Sequence, residues 1–186
     1  MTKILSTKER YQVQVVPAMM EAFQYTNQMA VPKIQKIVLN VGIGKIQKET
    51  ERIEEIMNVL RQISGQNPVK TKSRKAISGF KIREGLEIGV KVTLRGKRMW
   101  DFLDRLINVA LPRTRDFQGI PFSGIDQGGC LNIGIKEHTI FPEVVLERVK
   151  NIFSLQVNVV TNAKSQAEGE VLFRGLGFPI RQRDKK

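Results

Sequence analysis

The sequence predicts an α+β protein with two layers, a mainly antiparallel sheet with helices packed on one face and the other face free. Several strand-like segments alternate apolar and polar residues, which is typical of a sheet buried on one face only. Segments of helical periodicity lie between them, as in other two-layer domains. The chain has 186 residues, of which 41% are hydrophobic and 26% charged, so it can bury a sizeable core. We expect residues 1–186 to form a single domain.

The first half of the chain predicts a helix, a strand and a second helix. Residues 8–25 are expected to be helical, and Pro17 must start, kink or interrupt that helix. Residues 33–41 alternate as a strand, which places Ile37, Leu39 and Val41 on one face and Lys36, Val38 and Asn40 on the other. The clearest helix covers residues 48–64, and Gly65 can end it.

The second half predicts strands, a long loop and further helices. Residues 69–95 are expected to be strands separated by a loop, with Val90, Val92 and Leu94 on one face of the last strand and Lys91, Thr93 and Arg95 on the other. The remaining segments are a helix over 97–111, a loop over 112–130, a strand over 131–136, a helix over 142–153, a strand over 155–161 with Leu155, Val157 and Val159 inward, and a helix over 165–175.

Composition excludes several classes of protein. One cysteine cannot form an internal disulfide, so a disulfide-stapled secreted scaffold is ruled out. No apolar run approaches the ~20 residues that a membrane-spanning helix needs, and the first ten residues lack a secretory apolar region. We therefore expect a cytoplasmic protein with no membrane partner; an organellar location is less favoured because Glu9 stands in the first ten residues.

The charge is large and unevenly distributed. The formal net charge is +13, a surplus that commonly persists because a polyanion neutralises it. Residues 61–98 contain eleven basic and two acidic residues, whereas residues 116–170 contain seven acidic and four basic residues. A basic half and a mildly acidic half suggest two kinds of partner, the first of them nucleic acid.

The predicted free face of the sheet carries side chains that suit RNA. Lys36, Asn40, Lys91, Thr93 and Arg95 would project together, and they offer cations for phosphate and amide and hydroxyl groups for ribose. No Phe or Tyr falls on this face, so stacking of splayed bases is disfavoured. A merely solvated polar sheet face is the alternative, and the concentrated positive charge favours RNA.

A basic loop is expected at about residues 70–85. The run from Lys70 to Arg83 has six cations and no acidic residue, and its small and glycine residues suggest a hairpin tip that a bound polyanion could order. A solvated charge run is the alternative.

No catalytic, metal or cofactor site is expected. Gly42 and Gly44 follow a strand, but Gln47 stands where a dinucleotide fingerprint needs its third glycine. A Cys130–His138 nucleophilic pair is formally possible, yet a buried thiol and a surface imidazole fit better, and the two residues cannot fill a structural zinc site. Asp101 and Asp104 lie near Arg98 and Arg105, which indicates ion pairing on a helix surface.

Six motifs, in this order, carry a family resemblance: VPKIQKIVLNVGIG at 31–44, ISGQNP at 63–68, KSRKAISGFKIR at 72–83, IGVKVTLRGKRMW at 88–100, LPRTRDFQG at 111–119 and IFPE at 140–143. Together they resemble the bacterial-type, 5S-rRNA-binding protein of the large ribosomal subunit, from about residue 8 to Pro179. The resemblance implies a non-enzymatic ribosomal protein whose free sheet face holds 5S rRNA in the central protuberance. It also implies 23S-type rRNA, P-site tRNA, other central-protuberance proteins and a head protein of the small subunit as partners.

The resemblance also assigns residues to each contact. It places Lys36, Asn40, Gln66, Thr93 and Arg95 on 5S rRNA, of which Gln66 is added by the resemblance alone, and the strand alternation adds Lys91. The loop residues Lys72, Arg74, Lys75, Ser78, Gly79 and Phe80 are expected at the elbow of P-site tRNA. A bridge-like region over 112–143 is expected at the small subunit, through Arg113, Arg115, Asp116, Phe117 and Glu137.

The chain departs from the family at 125–133, where an aromatic residue and Arg-Gly-Asn-Tyr are more usual, and it ends in a short basic tail over 180–186. Two other functions remain open at this point, a metal-dependent nucleic-acid-processing enzyme and a free-standing RNA-binding regulator. The first needs carboxylates that converge beside the basic face, and the second would sediment apart from ribosomes.

Overall fold

Five strands form one antiparallel sheet in the order β2-β3-β1-β5-β4. The structure, a computed structural model, describes residues 5–47, 49–144 and 150–181. The α+β architecture that the sequence predicts is therefore confirmed. The strands are β1 Ile34–Gly42, β2 Val69–Lys72, β3 Glu87–Leu94, β4 Leu131–Ile135 and β5 Leu155–Thr161.

The helices match most of the predicted helical segments. They are α1 Thr7–Arg10, which continues through a π-helical turn at Tyr11–Val15 into α2 Val16–Phe23, then α3 Thr50–Ser64, α4 Gly96–Arg105 with a π-helical extension at Leu106–Ala110, and α5 Gln166–Leu176. Short 3-10 turns lie at Gln28–Ala30, Ser78–Phe80, Phe122–Gly124 and His138–Ile140.

Pro17 falls at the first turn of α2. Its missing N–H and its ring would disturb a regular α-helix at the preceding turn. The chain instead forms the π-helical turn, in which the Val16 N–H donates to the Tyr11 carbonyl. The chain therefore stays helical past the proline, but the regular α-helix is interrupted just before it, which is one of the outcomes that the sequence predicts.

The core lies between the helices and one face of the sheet. The alternating residues predicted to point inward, Ile37, Leu39 and Val41 in β1 and Val90, Val92 and Leu94 in β3, are all buried. The apolar stripe of α4 is buried with them, and α3 ends at Gly65, whose φ of 66° is the left-handed conformation that favours glycine. One sheet face is thus covered by the helices, and the polar residues that alternate with the buried ones in β1 and β3 lie on the other face.

The helix predicted over 142–153 is wrong in its described parts. Residues 145–149 lie outside the described residues, and residues 142–144 and 150–153 form turns, bends and extended chain. Tertiary contacts override the helical pattern here: the His138 N–H donates to the Phe153 carbonyl at 3.3 Å, and the Glu55 carboxylate accepts from the Lys150 N–H at 3.1 Å. Residues 182–186 of the predicted basic tail also lie outside the described residues.

Candidate nucleic-acid interface

The register of the central strands sets the predicted polar residues side by side. Asn40 pairs with Lys91 and Val38 with Thr93 across β1 and β3. Since directly opposed residues of antiparallel strands project to the same face, these side chains share the face away from the core. The same register, carried one residue beyond Ile37 and Leu94, sets Lys36 opposite Arg95, whose backbone is still extended at φ −141° and ψ 165°.

The polar face extends further than the sequence indicated. β5 pairs with β1 on its other side, so that Gln156 lies opposite Asn40 and Asn158 opposite Val38. β4 then places Asn132 opposite Asn158. We call this whole surface the polar sheet face, and its residues are Lys36, Val38, Asn40, Val69, Thr71, Gly89, Lys91, Thr93, Asn132, Gly134, Gln156, Asn158 and Val160.

This surface contains no aromatic ring, as expected from the sequence. Lys91 and Gln156 are exposed, and Lys36, Asn40 and Thr93 are half-buried. The surface therefore offers cations, amides and hydroxyls, and it has no platform for stacking bases.

Sequence reasoning missed the contribution of β4 and β5. The alternation in residues 155–161 already implied that Gln156 and Asn158 share the face opposite to Val157. The pattern could not predict the strand order. In the sheet, β1 lies between β3 and β5, which are distant from each other in the sequence.

Gln66 lies in the turn between α3 and β2. The Ser64 hydroxyl donates to the Leu60 carbonyl at 2.6 Å and accepts from the Gln66 N–H at 3.2 Å, which fixes the turn. β2 runs antiparallel to β3 with Val69 opposite Lys91, so residues before Val69 lie toward the end of the sheet that carries Thr93. Gln66 therefore lies in the turn near the end of the sheet that carries Thr93.

The basic loop is a hairpin that joins β2 to β3. Ile77 and Ile82 close its tip with two backbone hydrogen bonds of 2.9 and 3.1 Å, and the Ser78–Phe80 turn lies between them. Phe80 is 75% exposed. The six residues assigned to this loop from the resemblance are all exposed: Lys72, Arg74, Lys75, Ser78, Gly79 and Phe80.

The residues assigned to the small-subunit contact lie on two separate segments. Arg113, Arg115 and Asp116 are exposed in the loop after α4, where Asp116 has a positive φ of 52° and Phe117 packs against the core. Glu137 is exposed directly after β4. The structure thus leaves the charged side chains accessible and anchors their loop through Phe117.

Two interpretations made from the sequence are wrong. Cys130 is half-buried and not a buried thiol, and His138 is buried, at 1% exposure, and not a surface imidazole. Its ring stacks on Phe153 with ring centroids 4.0 Å apart, and its Nδ1 accepts from the Phe153 N–H at 3.4 Å. Burial lowers the pKa of His138, and the nearby Glu55 charge opposes that shift. His138 is therefore a buried residue whose contacts are structural.

The second wrong interpretation concerns the acidic residues of α4. Asp104 accepts hydrogen bonds from the N–H, at 2.7 Å, and from the hydroxyl of Thr7 at the start of α1. Arg105 turns away from it and pairs with Glu143. Asp104 therefore caps the start of α1, although Thr7 and Asp104 are 97 residues apart in the sequence. Helical spacing alone cannot predict this contact.

Within residues 5–47, 49–144 and 150–181, no group of three or more His, Cys, Asp or Glu residues could hold a metal ion. No helix in the described part of the chain is long and apolar enough to span a bilayer.

The fold and this surface define an α+β protein that exposes a polar, partly basic sheet face. A family model described as "Ribosomal protein L5" matches residues 27–83, and one described as "ribosomal L5P family C-terminus" matches residues 87–180. The chain belongs to the ribosomal protein L5 family, which is a family of non-enzymatic ribosomal proteins.

Curated relatives are similar over nearly the whole chain. The large ribosomal subunit protein uL5 of Syntrophomonas wolfei is 50% identical over 173 residues, covering 93% of this chain and 97% of the relative. The uL5 proteins of Streptococcus pyogenes and Halothermothrix orenii are 47% and 43% identical, and cover 93% and 94% of this chain and 96% and 97% of their own lengths.

Proposed function

We propose that this protein is a structural component of the large ribosomal subunit that binds 5S rRNA through the polar sheet face and helps to attach it in the central protuberance. The observation that carries this proposal is the register that brings Lys36, Asn40, Lys91 and Thr93 onto one uncovered face. Membership of the ribosomal protein L5 family and the names of the curated relatives support it. Its place would be the ribosome in the bacterial cytoplasm, among 23S-type rRNA and other central-protuberance proteins.

The side chains make two kinds of contact with RNA, according to their chemistry. Lys36, Lys91 and Arg95 approach phosphates and displace counterions, which provides affinity without reading sequence. Asn40, Thr93 and Gln66 fix the register by hydrogen bonds to ribose hydroxyls and base edges. Folded RNA fits this face better than single strands, because the face has no ring on which a splayed base could stack.

The basic loop is proposed to contact P-site tRNA. Its exposed cations, Lys72, Arg74 and Lys75, suit the phosphates of the tRNA elbow, and Ser78, Gly79 and Phe80 form the tip. The closing pair at Ile77 and Ile82 supports this role because it gives the tip a defined hairpin shape.

The segments at 112–143 are proposed to meet a head protein of the small subunit. Arg113, Arg115 and Asp116 are exposed in the loop that Phe117 anchors, and Glu137 is exposed on the segment after β4. The surplus of acidic residues over 116–170 suits a basic ribosomal protein as partner.

The test of 5S rRNA binding uses the full chain and a bacterial 5S rRNA transcript across a range of salt. If roughly six cations contact phosphates, affinity falls about a thousandfold between 50 and 200 mM salt. Arg95→Ala is expected to weaken binding and to reduce the salt slope by about 1. Arg113→Ala, an equal loss of charge in the loop after α4, away from Arg95 and the polar sheet face, is the control and leaves both unchanged.

Equal affinities for Arg95→Ala and the wild-type chain, with an intact fold, would reject this use of the sheet. Sedimentation of the endogenous protein with free RNA and away from large subunits would instead favour a free-standing regulator.

A further inference from the structure

The polar sheet face has a charged half and an uncharged half. The half formed by β1 and β3 carries Lys36 and Lys91, and Arg95 follows β3. In contrast, β4 and β5 contain no charged residue at all. We call four of their outward residues the amide platform: Asn132, Gly134, Gln156 and Asn158.

We propose that the amide platform binds the 2′-hydroxyl edge of helical RNA, in its wide and shallow minor groove. This inference rests on the proposed function, since it names the part of the RNA that this half of the interface takes. An uncharged surface cannot displace counterions from phosphates, so it adds little to electrostatic affinity. A carboxamide both donates and accepts, and so does a 2′-hydroxyl, which is absent from DNA.

Hydrogen bonding within the platform orients its amides. The Asn158 Nδ2 donates to the Asn132 Oδ1 on the neighbouring strand. This bond leaves the Asn158 Oδ1, the second N–H of the Asn158 amide and the Nδ2 group of Asn132 with capacity for an outside partner. Asn40 and Gln156 lie opposite each other one row along, so the four amides form one continuous polar area.

Because Gly134 has no side chain, it leaves an open space on the amide platform. The fold of the protein does not require this space. A Cβ added there would meet no atom within 4 Å, and its φ is not positive. Gly89, on the same face, is different, because a Cβ there would lie 2.6 Å from the Thr71 hydroxyl. Glycine at 134 is therefore not required by packing or backbone conformation, and its open space admits close approach of an RNA backbone.

The experiment compares the full-length chain with two variants, Gly134→Val and the double variant Asn132→Ala with Asn158→Ala, in binding to bacterial 5S rRNA. Gly134→Val is expected to keep or raise the melting temperature, since valine favours strands, and to weaken RNA binding at least tenfold. The double variant is expected to weaken binding roughly tenfold through two lost hydrogen bonds. Neither variant changes the salt slope, because neither removes a charge.

A second readout identifies the ribose contact. A 5S rRNA pool with scattered 2′-deoxy substitutions is sorted by binding, and the positions that interfere with the wild-type chain are mapped. The double variant is expected to lose interference at a subset of these positions. An unchanged interference map, or wild-type affinity for folded Gly134→Val, overturns the inference. If Arg95→Ala also binds like the wild type, the proposed function fails as well; if Arg95→Ala alone is weakened, only the amide platform is rejected.

Discussion

The Arg105 guanidinium joins the end of α3 to the segment that follows β4. Its Nε lies 2.5 Å from the Glu143 Oε1, and its Nη2 donates to the Ile63 carbonyl at 3.0 Å. The Ile63 carbonyl belongs to the last turn of α3, where no intrahelical N–H remains to satisfy it. One side chain therefore closes a helix terminus and holds the turn that leads to Gln66.

Arg105→Ala is expected to lower the free energy of unfolding by about 1–3 kcal/mol, because it removes the hydrogen bond to Ile63 and leaves Glu143 without its cation. The pair is partly exposed, which keeps the effect in the lower part of that range. Urea denaturation followed by circular dichroism measures it.

Arg115→Ala is the matched control for this prediction. Arg115 lies 4.0 Å from Asp116, and both side chains are about nine-tenths exposed, so its loss is expected to change stability by less than about 0.5 kcal/mol. Equal effects of the two substitutions would contradict the role assigned to Arg105.

The central sheet could be predicted because its two faces differ in chemistry. In β1 and β3 the alternation separates Leu39 and Val92 from Asn40 and Lys91, and burial follows that pattern. The position of β5 beside β1 could not be predicted, since no local pattern records which strand is the neighbour.

Residues of the candidate interface could be predicted from the sequence only where their placement follows from the alternation of apolar and polar residues in a strand. Gln66 required a family resemblance, because its position depends on the turn after α3 and on the pairing of β2. His138 was misplaced because a lone histidine carries no periodic signal. Its burial depends on stacking with Phe153, which is 15 residues away.

The basic loop provides a second prediction. Replacing Arg74 and Lys75 by alanine is expected to leave stability and 5S rRNA affinity unchanged, since both side chains are exposed and lie off the sheet. Ribosomes that carry the variant are expected to bind P-site tRNA roughly threefold to tenfold more weakly, through lost phosphate contacts. Filter binding of labelled tRNA measures this change.

The control for the loop removes two charges elsewhere, by alanine substitution of the exposed Lys8 and Lys164. It is expected to leave tRNA binding as in the wild type. Loss of 5S rRNA from ribosomes with the loop variant would instead assign the loop to the 5S rRNA site.

His138 makes the stability of the protein depend on pH. Burial lowers the pKa of His138 below its ordinary value of 6.5, so at pH 6 the unfolded chain binds more protons at this residue than the folded one. Stability is therefore full above about pH 7 and falls as the pH drops through 6.5. The expected result is a lower free energy of unfolding at pH 5.5 than at pH 7.5.

The variant His138→Phe separates this effect from other titrations. Phenylalanine keeps a ring against Phe153 but cannot be protonated, so the difference between pH 7.5 and pH 5.5 is expected to shrink even if the variant is less stable overall. Glu55→Gln is expected to keep or enlarge that difference, because the Glu55 charge opposes the lowering of the His138 pKa. Glu55 does not titrate in this window itself, since the hydrogen bond from Asn151 lowers its pKa below 4.5. A pH difference that survives in His138→Phe would refute the assignment.

Asp104 and Asp101 form a matched pair on α4 for the last prediction. Asp104 accepts from the Thr7 N–H at 2.7 Å and from the Thr7 hydroxyl, whereas Asp101, one turn earlier, is exposed. Asp104→Ala leaves the first N–H of α1 without its acceptor, and is expected to cost about 1–2 kcal/mol. Asp101→Ala is expected to stay within about 0.5 kcal/mol of the wild type.

The position of the amides that lose protection distinguishes the loss of this cap from a general weakening of α4. Native-state hydrogen exchange is expected to show faster exchange at the amides of residues 7–10 in Asp104→Ala, because the N-terminal helix is released locally before the sheet unfolds. Protection in β1 and β3 should fall only as far as global stability falls. Uniform loss of protection across helix and sheet would mean that Asp104 stabilises the whole domain and not the start of α1.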